Sequence, residues 1–141
     1  MLTEKAKPAA APQGDAAASP APATTPRNLD DLICYFQGGY VPMRDANVSI
    51  MTHAFMYGTA VFEGIRAYWN ADEGKLYGLK IREHVERIRQ SCRIMLMTNV
   101  PSTDELTGLI VETIRRNNFR EDVYVRPSIY KSTREIGRAH V

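Results

Sequence analysis

The sequence predicts an α+β fold: a mainly antiparallel sheet with two helices packed against it. Three observations carry this expectation. Apolar and aromatic stretches joined by Gly-containing turns read as two hairpins in the first half of the chain. Two consecutive segments then switch to an apolar period near 3.6. A last segment alternates with a period of two, as a half-buried strand does.

Ile33–Phe36 is the first expected strand. Gln37-Gly38-Gly39 is the turn and Tyr40-Val41 starts the return, with aromatics flanking the Gly-Gly pair. Pro42 has no N–H and confines the second strand to an edge or a strand end. Asp45–Tyr57 reads as an irregular connection with a turn of helix around Thr52–Met56. Ala60–Trp69 and Lys75–Leu79, joined by the turn Asn70–Gly74, form the second hairpin. Ile81–Met95 is a helix whose apolar face is Ile81, Val85, Ile88, Cys92 and Met95. The second helix opens at Pro101–Glu105, where Ser102 and Glu105 make a capping-box pattern. Leu106, Leu109, Ile110 and Ile114 form its buried face, and Arg115, Arg116 and Asn117-Asn118 close it. Val123–Tyr130 is the last strand, with Val123, Val125 and Ile129 on one face and Tyr124, Arg126 and Tyr130 on the other.

Of the 141 residues, the first 28 hold nine alanines and five of the eight prolines with almost no large apolar side chain. Such a segment buries too little surface to offset its ordering entropy, so residues 1–28 are expected to be a disordered tail. It lacks the apolar run of a signal peptide, and its Glu4 and Asp15 argue against a transit peptide. The net charge of +2 is scattered, which gives no basic stripe for nucleic acid. No apolar run has the length of a membrane span. Cys34 and Cys92 have neither disulfide-framework nor metal-ligand spacing, and Cys92 reads as a core thiol. This profile suits a soluble cytoplasmic protein.

The stretch Tyr57-Gly58-Thr59-Ala60-Val61-Phe62-Glu63-Gly64-Ile65-Arg66-Ala67-Tyr68 is unusual for a plain core strand. Its two glycines, three aromatics and Glu/Arg pair fit a strand that packs on one face and lines a pocket on the other. Tyr124 and Arg126 share one face of the last strand, offering a hydroxyl and a fork of donors suited to a carboxylate. From spacing alone that face reads first as ordinary exposed surface. His84 and Arg87 stand at i, i+3 on the first helix, where an arginine can hold a phosphate or simply be a surface residue. His53 is assigned no catalytic role and is expected to bond to backbone. There is no Walker-type loop, no G-x-G-x-x-G, no metal cluster, and no Ser/His/Asp or Cys/His set with supporting context.

The Tyr57–Tyr68 stretch resembles the signature strand of branched-chain amino acid aminotransferases, pyridoxal-phosphate enzymes of fold type IV. The likeness continues through Arg82-Glu83-His84-Val85-Glu86-Arg87 and Tyr124-Val125-Arg126-Pro127, and reaches back to Asn47–Ala54. It spans roughly Ile33 to Arg134, and residues 29–134 would form the small N-terminal domain of that fold. The resemblance implies that Arg87 binds the phosphate of pyridoxal 5'-phosphate. It implies a substrate pocket that includes Tyr57, Phe62, Gly64, Tyr124 and Arg126. Phe62 would line the aliphatic side chain, Arg126 would help accommodate the distal carboxylate of glutamate, and Tyr57 would reach into the pocket of a neighbouring protomer. The activity implied is transfer of the amino group of L-leucine, L-isoleucine or L-valine to 2-oxoglutarate, giving the 2-oxo acids and glutamate, in a homodimer or dimer-based oligomer. The D-amino acid aminotransferases and aminodeoxychorismate lyases share the fold, and a non-catalytic α+β binding module is a third reading. The Phe-Glu-Gly-Ile-Arg-Ala-Tyr run favours the branched-chain group.

Two departures from the family pattern stand out. Met56 precedes Tyr57 where a polar residue is common. The family's Schiff-base lysine belongs to a second, larger domain, and Lys75, Lys80 and Lys131 do not match its context. No catalytic residue is therefore expected in these 141 residues, and the chain alone is expected to be inactive. Glu135–Val141 leaves the family pattern and can be written in codons as GAG ATC GGA AGA GCA CAC GTC, which reads as translated sequencing-adapter DNA. The expectation is a natural chain that diverges near Arg134 and continues into the larger domain.

Overall fold

The two-residue turn Gln37-Gly38 sets up the first hairpin. Both residues sit at positive φ (47° and 97°), the combination that matches the right-handed twist of paired strands. In the computed structural model, which describes residues 27–134, this hairpin joins β1 (Ile33–Phe36) to β2 (Gly39–Pro42). Pro42 falls at the strand end, opposite Ile33. A short helix α1 (His53–Tyr57) follows, then β3 (Ala60–Phe62), β4 (Ile65–Asn70) and β5 (Lys75–Gly78). The two long helices are α2 (Ile81–Ile94) and α3 (Thr103–Asn117), and β6 (Val123–Val125) and β7 (Ser128–Tyr130) end the fold. Among the described residues every strand pairing is antiparallel, in three sheets: β1-β2, β3-β7 and β5-β4-β6.

The two long strands expected over Ala60–Trp69 and Val123–Tyr130 are each divided in two, at Glu63-Gly64 and at Arg126-Pro127. The register does not slip across the gap. Phe62 pairs with Ser128 before it and Ile65 with Val125 after it, so Glu63 stays opposite Pro127. Glu63 N–H donates to the Pro127 carbonyl at 3.0 Å. Pro127 has no N–H to return the bond, and the ladder lapses there. The result is one antiparallel ribbon with an interruption, which keeps the two-residue alternation intact from end to end.

That alternation divides the ribbon into two faces. Val61, Glu63, Ile65 and Ala67 lie on one face with Val123, Val125 and Ile129, and the helices cover it. Ile65 from β4, Val85 from α2 and Ile110 from α3 meet in the core, with Ile81, Leu106, Ile114 and Val125 packed around them. Ile88 and Cys92 extend the buried stripe of α2, and burial pushes the Cys92 thiol up. The α3 start is a full capping box: Glu105 N–H donates to Ser102 Oγ at 3.2 Å, and Ser102 N–H donates to the Glu105 carboxylate at 2.7 Å. Asn118 closes α3 in the left-handed conformation.

Asn117 ties α3 to the first hairpin. Its side chain accepts from Ile33 N–H and donates to the Ile33 carbonyl, both at 2.8 Å. Arg27 and Asn28, placed by the sequence reading in the tail, have partners of their own. Arg27 donates to the carbonyls of Asn117 and Asn118, and Asn28 caps a short 3-10 turn at Leu29–Asp31. Tyr130, at the far end of the face that carries Tyr124 and Arg126, is half-buried, and its hydroxyl accepts from Gln37 Nε2 at 3.1 Å. The expectations for residues 1–26 and for Glu135–Val141 lie outside the described residues. Within the described residues no helix is long and apolar enough to cross a membrane, and no cluster of His, Cys, Asp and Glu could hold a metal ion.

Candidate active site

The face of the ribbon away from the helices gathers four of the six residues singled out from the sequence. Phe62 and Gly64 alternate along one strand, Tyr124 and Arg126 along its partner. The Arg126 guanidinium lies over the Phe62 ring, 4.0 Å from its centroid. Stacking on a ring face consumes none of the guanidinium N–H groups, and Arg126 has no hydrogen bond or ion pair among the described residues. The Tyr124 ring lies against Gly64. A Cβ added at Gly64 would come within 2.8 Å of the ring's Cζ, closer than a normal contact. Gly64 is therefore needed for the approach of Tyr124. Phe62 and Tyr124 are 57% and 60% exposed, an unusual burden for two aromatics on one small patch. Beside them Arg66, Tyr68, Asp122 and Tyr124 line an open depression.

Arg87 stands on the other face. It projects from α2 toward Glu63, which alternation turns inward between Phe62 and Gly64. The Glu63 side chain is only 6% exposed. Arg87 Nε–H donates to Oε1 at 2.6 Å and Nη2–H donates to Oε2 at 2.5 Å, a two-point pairing along one edge of the guanidinium. His84 Nδ1 lies 2.9 Å from the same Oε2, one helical turn before Arg87, and carries its proton there if it donates to the carboxylate. The Arg87 hydrogen bonds hold the Glu63 carboxyl down to about 2, against the opposing effect of burial and with His84 adding to the stabilisation. Glu63 is the residue that sequence reasoning missed. The available signal was a carboxylate in a strand register that places it inward, together with the His84/Arg87 pair on the next helix.

Tyr57 ends α1, and its ring packs on His53 rather than joining the Phe62–Arg126 patch, with the two centroids 4.6 Å apart. His53 Nδ1 pairs with Thr59 Oγ1 at 2.8 Å, so its side-chain partner is a hydroxyl rather than the backbone expected for it. The helix is anchored to the irregular segment that follows β7: His53 N–H donates to the Thr133 carbonyl and Ala54 N–H to that of Lys131. Phe55, Met56 and Tyr57 remain exposed.

The arrangement can be tested for its fit to a phosphate-bearing cofactor. A guanidinium has five N–H groups. Glu63 takes two from Arg87, on the edge formed by Nε and Nη2. At the opposite end the Nη1 donors are left open for a phosphate, while Nη2 also lies 3.5 Å from His84 Nδ1, and the Arg87 side chain is 65% exposed. The residue therefore fits a phosphate, in one defined orientation.

Residues 60–140 match the amino-transferase class IV family. The probable branched-chain-amino-acid aminotransferase of Aquifex aeolicus is 48% identical over 96 residues, covering 68% of this chain and 31% of the relative. The branched-chain-amino-acid aminotransferase of Escherichia coli K12 is 40% identical over 96 residues, 68% of this chain and 30% of that one. The chain thus spans about a third of the length of these relatives. Among solved structures, the branched-chain aminotransferase of Thermoproteus uzoniensis with norvaline superposes with a TM-score of 0.67 at 40% identity, over 71% of this chain and 33% of that one. A T.th. branched-chain amino acid aminotransferase complexed with N-(5'-phosphopyridoxyl)-L-glutamate gives 0.70 at 34% identity, over 78% and 36%. The α+β architecture is that of the N-terminal domain of fold type IV aminotransferases. On its matched residues, its relatives and its fold, the chain belongs to the class IV aminotransferases, with branched-chain-amino-acid aminotransferases among its kin.

Proposed function

We propose that this chain supplies the small-domain half of a branched-chain amino acid aminotransferase site. The whole enzyme exchanges the amino group of L-leucine, L-isoleucine or L-valine with 2-oxoglutarate, using pyridoxal 5'-phosphate. The observation that carries the reading is Arg126 stacked on Phe62 beside Tyr124 and Gly64. Such a patch offers an apolar aromatic wall for a branched side chain and unspent guanidinium donors for a carboxylate. One pocket can then accept both partners of the exchange.

When bound, pyridoxal phosphate supplies the electron sink that labilises the α-hydrogen of an amino acid. Arg87 holds the phosphate through the donors that Glu63 leaves open. Phe62 and Tyr124 shed water from the substrate side chain, and Gly64 lets the tyrosine ring lie close to the backbone. Arg126 binds the distal carboxylate of the glutamate pair. Tyr57, on the exposed end of α1 with Phe55 and Met56, suits a contact with a second protomer. Residues 29–134 act as the small domain of a cytoplasmic enzyme, and a larger domain supplies the lysine. Lys75, Lys80 and Lys131 are not assigned that role, so the 141 residues alone are inactive.

A chimera tests this. Residues 29–134 would replace the matching segment of the Aquifex aeolicus relative. The expected result is turnover of L-leucine, L-isoleucine and L-valine with 2-oxoglutarate and none of D-alanine, while the 141-residue chain alone turns over nothing. A folded chimera that prefers D-alanine, or activity in the chain alone, contradicts the proposal.

A further inference from the structure

We propose that Glu63 is a positioning residue: its buried carboxylate fixes the Arg87 guanidinium in the one orientation that presents the Nη1/Nη2 end to a phosphate. The inference rests on the reading of Arg87 as a phosphate ligand and adds a second residue to it.

The geometry has three parts. Glu63 is buried in the ribbon gap and cannot follow a moving partner, being held from both sides by chain. Its backbone N–H is bonded to Pro127 and its Oε2 faces His84. The carboxylate engages Arg87 at Nε and Nη2 together, which fixes the plane of the guanidinium as well as its position. Arg87 is otherwise a long side chain on an exposed helix face, whose rotamers would have to be frozen each time an anion bound. With Glu63 present that ordering is complete before the anion arrives.

The same pairing has an opposite electrostatic effect, because a carboxylate beside the arginine cancels its charge. The two roles therefore predict opposite signs. If Glu63 acts only as a counter-charge, its removal tightens anion binding. If it positions Arg87, its removal weakens binding.

The experiment uses the 141-residue chain with inorganic phosphate as probe, read by 15N NMR of the Arg87 Nε–H and guanidinium signals. The wild-type chain is expected to show a protected Arg87 Nε–H, and phosphate is expected to shift the Nη signals with little effect at Nε. Glu63→Ala is expected to lose the Nε–H protection and to bind phosphate about tenfold more weakly. Glu63→Gln keeps the size of the side chain and one acceptor oxygen and is expected to fall between the two. If Glu63→Ala does not fold, the Gln variant carries the test alone, with binding weakened several-fold. Unchanged or tighter binding in the folded variants overturns the positioning role and leaves Arg87 as a phosphate ligand. No response of Arg87 to phosphate in any of the three chains removes the phosphate reading itself, and the positioning role with it.

Discussion

Gly64→Ala isolates the contact that shapes the candidate pocket. The new methyl carbon would lie 2.8 Å from Cζ and 2.9 Å from Cε2 of Tyr124, where ordinary contacts begin at 3.4 Å. The ring must retreat by about 0.6 Å at Cζ and further at the hydroxyl. It is free to do so, being 60% exposed. Gly64 is not among the positive-φ residues, so alanine fits its backbone and gains about 0.4–1 kcal/mol by restricting the unfolded chain. Overpacking costs about 1–3 kcal/mol where neighbours are trapped, and less beside a ring open to solvent. The two effects nearly cancel, and the net change in stability is expected to stay within about 1 kcal/mol. Urea unfolding measures that change, while ring-proton shifts and contacts from the introduced methyl group report the position of Tyr124. The substitution should move the tyrosine without unfolding the chain. Unmoved Tyr124 resonances, or a loss above about 3 kcal/mol, would refute the reasoning.

Three further predictions follow from the same structure. Gly108→Ala, in the exposed middle of α3 with nothing within 4 Å of the added carbon, should stabilise the chain by about 1 kcal/mol in urea unfolding. Ile65→Ala, at a fully buried core position, should cost about 2–5 kcal/mol, and a loss below about 1 kcal/mol would mean that the core is not centred there. Glu63 has a depressed carboxyl, so its pairing stabilises the fold above the ordinary value of 4.5 and loses that contribution as pH falls toward about 2. Glu63→Gln should flatten the pH dependence of stability across that window, and an unchanged acid profile would show that the pair contributes nothing there.

The helices were the most legible part of the chain. In α2 and α3 the apolar period, the Ser102/Glu105 box and the left-handed Asn118 stop are local signals, and each is realised where it was read. The hairpin turn at Gln37-Gly38 was legible for the same reason. The interruption of the ribbon was not, because alternation continues across it unchanged. It depends on Pro127 facing Glu63, a pairing between residues 64 positions apart that no local window contains. Glu63 shares the alternation of Val61, Ile65 and Ala67, so the strand pattern turns it inward, but no local window shows what would satisfy a carboxylate there. Its burial is tolerated only because His84 and Arg87, 21 and 24 positions further on, converge to satisfy it. The grouping of Phe62, Gly64, Tyr124 and Arg126 was anticipated through family resemblance. Spacing alone left Tyr124 and Arg126 as ordinary exposed surface, and only the register brings the two strands together.

Whether this domain carries the phosphate-binding arginine of an aminotransferase site is tested most directly by two titrations of the 15N-labelled 141-residue chain. One uses pyridoxamine 5'-phosphate and the other pyridoxamine. Both probes lack an aldehyde, so neither can label lysines. The expected result is that the phosphorylated compound shifts the Arg87 side-chain signals and pyridoxamine leaves them unchanged, that backbone amide shifts report tighter binding of the phosphorylated compound, and that Arg87→Ala abolishes this difference in the amide response. Equal responses to the two compounds, or a phosphate-dependent response that survives Arg87→Ala, would contradict it.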